Sequence, residues 1–142
     1  MEVNGLQIDS RNVKPGSCFI ALKGTKTDGQ EFIESAVERG AVAIICETLP
    51  PVINDNITYV QVDNAADAAG YMSHNFYAEP SLKLKLIGVT GTNGKTTVAT
   101  LLYKLFASMG HRPGLLSTVE NRILDEVIVA THTTPDPIQL NE

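Results

Sequence analysis

The sequence predicts an α/β fold in two modules, a small N-terminal α/β domain followed by the start of a parallel-sheet domain built around a phosphate-binding loop. Three observations carry that prediction. Apolar runs of strand length alternate with segments of helical periodicity, and a glycine-rich turn, Gly88 to Thr97, joins one such run to an amphipathic stretch. A short polar segment, Glu79 to Lys83, separates the two series and reads as a hinge.

Leu6 to Ile8 and Cys18 to Leu22 read as short strands parted by a polar turn containing Pro15-Gly16. A helix is predicted over Glu31 to Arg39, with Phe32, Ile33, Ala36 and Val37 on one face and Gly40 as its stop. Ala41 to Cys46 and Ile57 to Val62 then read as buried strands around a loop holding Pro50 and Pro51. Asn64 is placed to cap a second helix running to about Tyr77, burying Ala65, Ala69, Met72 and Phe76, with Pro80 beyond its end. These elements define the first module, residues 1–83.

The second module, 84–142, opens with a strand at Leu84 to Val89. It continues with a helix over Lys95 to Met109 closed by Gly110, a parallel strand at Gly114 to Thr118 and a β-prone stretch from Arg122 to Ala130. Val98, Leu101, Leu102, Leu105, Phe106 and Met109 mark the apolar face of that helix. These elements are too few to cover both faces of a parallel sheet, so the module is expected to be a truncated start and the chain a fragment.

The loop itself, Gly91-Thr92-Asn93-Gly94-Lys95-Thr96-Thr97, carries the chemistry of a nucleoside triphosphate site. Glycines allow backbone N–H groups to approach phosphate oxygens, and the first helical turn aims unpaired N–H groups and its dipole at the same anion. Lys95 would reach the outer phosphates, and the Thr96 hydroxyl would hold the Mg²⁺ that bridges them. Val89 stands where the common pattern has glycine, with Gly88 and Gly91 on either side. A glycine-rich turn without ligand is the plainer alternative.

Composition narrows the function. The 142 residues carry a net charge of −5, against a general binder of nucleic acid or of a membrane surface, so any anion site must be local. No apolar run approaches the ~20 residues that span a bilayer, and no signal-peptide core is present, which points to the cytoplasm. Cys18 and Cys46 lie inside apolar runs and are expected to be buried free thiols. His74 and His111 lack metal partners at ligand spacing and are read as structural or solvent-facing, whereas His132 abuts a threonine pair.

The loop Thr90-Gly91-Thr92-Asn93-Gly94-Lys95-Thr96-Thr97 resembles the ATP loop of the Mur ligases. Two further motifs agree with that family, and with its diamino-acid-adding branch in particular. The first is Asp9-Ser10-Arg11 with Val13-Lys14-Pro15-Gly16 and Phe19-Ile20-Ala21; the second is Thr133-Thr134-Pro135-Asp136.

The resemblance implies an ATP- and Mg²⁺-dependent ligase of peptidoglycan synthesis, acting on a UDP-muramoyl dipeptide and a diamino acid through an acyl phosphate. It implies a role in cell-wall biogenesis, and thereby in cell shape and division. The first module would bind the precursor, with Ser10 and Arg11 at the uridine pocket and Thr25, Lys26 and Thr27 along the ribose and diphosphate. Arg11, Lys14, Lys23 and Lys26 concentrate positive charge there, as a diphosphate favours. Thr133 and Thr134 would contact the muramoyl peptide, and His132 would line that site. The structural alternatives are a surface ion pair at Asp9-Ser10-Arg11 and, for the threonines, hydroxyls capping a helix that begins at Asp136. The chain does not specify which diamino acid is added, and alone it is expected to be inactive. Rival readings are a D-alanyl-D-alanine-adding or folylpolyglutamate synthase-like ligase, or a non-enzymatic nucleotide-binding module.

Overall fold

The computed structural model describes residues 2–24, 27–124, 126–129 and 136–142. The chain divides into two compact units, Met1–Pro80 with Asn141–Glu142, and Ser81–Leu140.

The first unit is built on a four-stranded sheet of β1 (Gly5–Gln7), β2 (Ser17–Ile20), β3 (Ala43–Cys46) and β4 (Thr58–Gln61), in that spatial order. Every pairing is parallel, with Leu6 opposite Cys18, Phe19 opposite Ile44 and Ile44 opposite Tyr59. The polar segment at Pro15-Gly16 is therefore not a hairpin turn. The chain returns through a 3-10 turn at Ser10–Asn12, which lets β2 start from the same edge as β1.

Strands buried on both faces read as continuous apolar runs, and β2 and β3 are buried at every position. One face, with Phe19, Ala21, Ile44 and Cys46, packs with Val13, Ala41 and the helix α1 (Ile33–Glu38) through Ile33 and Ala36. The expected helix start at Glu31 is a 3-10 turn, Gly29–Phe32, that leads into α1. The opposite face presents Cys18, Ile20, Ala43 and Ile45, all buried. The helix α2 (Ala65–Phe76), capped as expected by the Asn64 side chain on Ala66 and Asp67 N–H, packs along β3 and buries Ala65, Ala69 and Ser73. Met72 is half-buried, while Phe76, expected inside, is exposed.

The free thiols of Cys18 and Cys46 are both buried, and burial pushes Cys18 up to about 11, so it stays a neutral packing residue at physiological pH. Ser73 is less well served: its hydroxyl is fully buried without a hydrogen-bond partner. An unpaired buried hydroxyl is a net cost, and alanine also has the higher helix propensity. Ser73→Ala is accordingly expected to stabilise the chain by about 1 kcal/mol in urea unfolding. A loss of stability in that variant would mean the hydroxyl is paired after all.

The second unit departs from expectation in its pairing. Its sheet comprises β5 (Gly114–Leu116), β6 (Glu120–Ile123) and β7 (Glu126–Val129), joined antiparallel. The parallel strand expected over Gly114 to Thr118 is instead the shorter, antiparallel β5, because only a tight turn separates it from β6 and a parallel partner needs a crossover of about a dozen residues. The Ser117 hydroxyl builds that turn, accepting from Val119 and Glu120 N–H and donating to the Glu120 carbonyl. The stretch from Arg122 is not one strand, since Leu124 at φ +55° turns the chain back into β7.

Residues 84–89 enter no ladder among the described residues. A strand exists only through its partners' backbone groups, so an apolar run without one stays merely extended. The helix α3 (Lys95–Ser108) forms as expected, but Val98, Leu101, Leu105 and Met109 on its apolar face are exposed. Within this unit Tyr103 of α3 donates its hydroxyl proton to the Leu124 carbonyl at the β6–β7 turn.

Candidate functional site

In the second unit the loop runs directly into α3. Gly94 sits in the left-handed region at φ +77° immediately before Lys95, the first residue of α3. A β-carbon there would meet no atom within 4 Å, so the glycine is set by backbone conformation rather than by crowding. Its carbonyl accepts from Val98 N–H at 2.9 Å and closes the first helical turn. The N–H groups ahead of that bond have no intrahelical acceptor, the feature by which helix starts can take anions.

Gly91, Thr92, Asn93, Gly94, Lys95 and Thr97 are exposed, and Thr96 is half-buried. Lys95 folds back over the loop, donating from Nζ to the Gly91 carbonyl at 2.6 Å and the Thr92 carbonyl at 3.3 Å. That geometry holds the ammonium against the loop backbone. Of the residues at the start of α3, Thr96 carries a hydroxyl oxygen, a donor type that hard cations take. No cluster of three or more His, Cys, Asp or Glu able to hold a metal occurs among the described residues.

In the first unit, parallel pairing of β1 with β2 brings the chain leaving each strand to the same carboxyl edge of the sheet, where ligands of open α/β sheets bind. Asp9, Ser10 and Arg11 leave β1, and Lys23 to Asp28 leave β2. Ser10 is buried. The Asp9 carboxylate accepts from the Arg11 backbone N–H at 3.0 Å and from its guanidinium through Nε at 2.9 Å and Nη2 at 2.7 Å. This bond from Arg11 holds the Asp9 carboxyl below its ordinary value. The pair's stabilisation is thus present above the unfolded carboxyl value and fades as pH falls through the lowered one. At 83% side-chain exposure for Arg11 it is small. The ion-paired turn foreseen as the plain alternative is therefore present, with the guanidinium on the surface.

The other expected contacts divide. Thr27 is exposed beside Asp28, whereas Thr25, Lys26, His132, Thr133 and Thr134 lie outside the described residues. The cap of α4 (Pro137–Asn141) is Asp136, whose carboxylate accepts from Ile138 and Gln139 N–H at 2.9 and 3.0 Å. Sequence reasoning missed Glu47 and Gln61: the Gln61 amide donates to the Glu47 carbonyl, and the Glu47 carboxylate accepts from Ala65 N–H, both at 3.0 Å. A single sequence holds no signal for them, because their partners are set by topology.

No helix among the described residues is long and apolar enough to cross a membrane. Residues 2–77 match the model of the Mur ligase family, catalytic domain, and residues 89–142 that of the Mur ligase middle domain. The chain is 50% identical over 141 residues to a UDP-N-acetylmuramoyl-L-alanyl-D-glutamate–2,6-diaminopimelate ligase of Phocaeicola vulgatus, covering 99% of this chain. It is 55% identical to the enzyme of the same name from Bacteroides fragilis, also across 99% of this chain. In both cases it spans 29% of the relative's length. A solved structure of a ligase of that name superposes over 98% of this chain and 28% of its own, with TM-score 0.74 and 34% identity. A MurF ligase from Thermotoga maritima in complex with ADP matches 72% of this chain and 23% of its own, at TM-score 0.55 and 31% identity.

Proposed function

The chain belongs to the Mur ligase family, and from that premise we propose that it is the precursor- and ATP-binding part of a ligase that adds 2,6-diaminopimelate to UDP-N-acetylmuramoyl-L-alanyl-D-glutamate. The observation that carries this reading is the loop at the start of α3, with Gly94 left-handed and the Lys95 ammonium bonded to the loop carbonyls. The diaminopimelate-adding relatives match over almost the whole chain, while the MurF structure superposes at the lower TM-score. Residues 1–83 are assigned to the precursor and 84–142 to ATP.

In the proposed reaction a carboxylate oxygen of the precursor attacks the γ-phosphorus of ATP, the bond to the ADP oxygen breaks, and an acyl phosphate forms. The diamino acid's amine then attacks the acyl carbon, phosphate leaves, and the nitrogen loses a proton. Lys95 and the loop N–H groups of Gly91 to Thr97 hold the triphosphate and neutralise charge that builds on the transferring phosphoryl group. Thr96 would ligate Mg²⁺, which when bound screens the phosphate oxygens. Ser10, Arg11, Thr25, Lys26 and Thr27 would hold the UDP end, and Thr133 and Thr134 the muramoyl peptide. The reaction is placed in the cytoplasm, where ATP is abundant.

Calorimetry of the 142-residue chain tests the assignment. Arg11→Ala is expected to raise the Kd for the UDP-linked dipeptide about fivefold, while that for Mg·ATP stays the same. Equal weakening of both ligands would show that residues 1–83 are not an independent precursor site.

A further inference from the structure

The turn Ser10–Asn12 closes on itself through only two backbone bonds, Asn12 N–H to the Asp9 carbonyl at 3.0 Å and Val13 N–H to the Ser10 carbonyl at 3.3 Å. A single 3-10 turn is a weak element, so its orientation depends on what it rests against. Here that support is α1. Val13, directly after the turn, is buried in one cluster with Ile33 and Ala36 of that helix.

A second hold comes from the far end of the same helix. Arg39, the exposed C-terminal cap residue of α1, reaches the turn and donates from Nη1 to the Arg11 carbonyl at 3.5 Å. The bond is long, but its donor is charged, and charge-assisted bonds are the stronger kind. On the other side of the same residue, Arg11 N–H donates to the Asp9 carboxylate at 3.0 Å. Both backbone polar groups of Arg11 are therefore held by side chains, which sets the direction in which its own side chain leaves the backbone. The guanidinium of Arg39 also acts on Asp9: the side-chain bond from Arg11 is the main cause of the lowered Asp9 carboxyl, and the charge of Arg39 adds to it.

We infer that Arg39 is a positioning residue for the nucleotide end of the precursor, holding the Arg11 carbonyl from the end of α1 and with it the direction in which Arg11 presents its guanidinium. The inference rests on the reading of Arg11 as a contact to the UDP end. An arginine whose backbone is already fixed has less freedom to lose on meeting an anion, so releasing the carbonyl moves that cost into binding. Because Arg39 acts through Arg11, its effect should disappear once the Arg11 side chain is gone.

The experiment is calorimetry of uridine diphosphate binding to the 142-residue chain, with urea unfolding of each variant. Arg39→Met keeps an unbranched stem and removes the donors. It is expected to raise the UDP Kd about threefold while the Kd for Mg·ATP and the urea midpoint stay native. Arg39→Lys, which keeps a cationic donor of similar reach, should restore a near-native Kd. Arg11→Ala with Arg39→Met should bind UDP no more weakly than Arg11→Ala alone. A native Kd in Arg39→Met beside a raised one in Arg11→Ala overturns the inference and leaves the site reading standing. Additive losses in the double variant also overturn it, since Arg39 would then act on the ligand without Arg11. So does a raised Kd that comes with a lowered urea midpoint and is not rescued by lysine, which would make Arg39 a residue of fold stability. If the native chain does not bind UDP, or Arg11→Ala binds it normally, the site reading fails and takes the inference with it.

Discussion

Replacing Lys95 with alanine is expected to weaken binding of Mg·ATP by about ten- to a hundredfold and to leave the melting temperature of the chain essentially unchanged. The two halves of that expectation have separate causes. Lys95 is exposed, and its two hydrogen bonds go to the carbonyls of Gly91 and Thr92, which water can satisfy once the ammonium is gone. Helix α3 loses nothing by the change, since alanine is the better helix former and the Gly94 carbonyl still accepts from Val98 N–H. A charge-assisted contact to phosphate contributes roughly 1.5–3 kcal/mol, which sets the fold-change. In a complete ligase carrying this sequence the same substitution should abolish turnover, because the phosphoryl group gains charge as it transfers. Unchanged nucleotide affinity by calorimetry would remove the loop from the active site.

Much of the first unit was legible in the sequence. Cys18 to Leu22 and Ala41 to Cys46 are unbroken apolar runs, the mark of strands covered on both faces, and β2 and β3 are covered in that way. Asn64 and Gly40 mark helix ends through local backbone chemistry, which needs no knowledge of the fold. The same apolar signal misled at 84–89, because an apolar run states that a strand could form but not which segment pairs with it. The β6–β7 turn was invisible for a different reason: it places leucine, not glycine or asparagine, at positive φ.

The candidate site shows the same division. The loop at Gly91 to Thr97 is contiguous and was read directly, and the structure places it at a helix start. The Asp9–Arg11 turn was foreseen as an ion pair or a ligand contact, and its bidentate geometry serves the first without blocking the second. Glu47 gave no warning, since its partners Gln61 and Ala65 come near through the β3–β4 crossover.

Gly29 tests whether the turn after β2 is built as tightly as its hydrogen bonds suggest. A β-carbon at this position would lie 2.5 Å from the Leu22 carbonyl oxygen, 2.7 Å from Leu22 N and 2.9 Å from Ala21 C. All three are backbone atoms of the chain just past β2, so none can swing aside as a side chain could. Relief requires the chain to part, and parting stretches the Gly29 N–H bond to the Leu22 carbonyl, now 2.8 Å. Overpacking and a weakened hydrogen bond together set an expected loss of about 2–4 kcal/mol for Gly29→Ala. Gly70 supplies the control, because it lies within α2 and a β-carbon there meets nothing within 4 Å. Gly70→Ala should therefore stabilise by about 0.5–1 kcal/mol through helix propensity and reduced unfolded-state entropy. Urea unfolding of both variants measures the contrast. If Gly29→Ala is as stable as the native chain, the close approach of Gly29 to the chain leaving β2 is not a constraint.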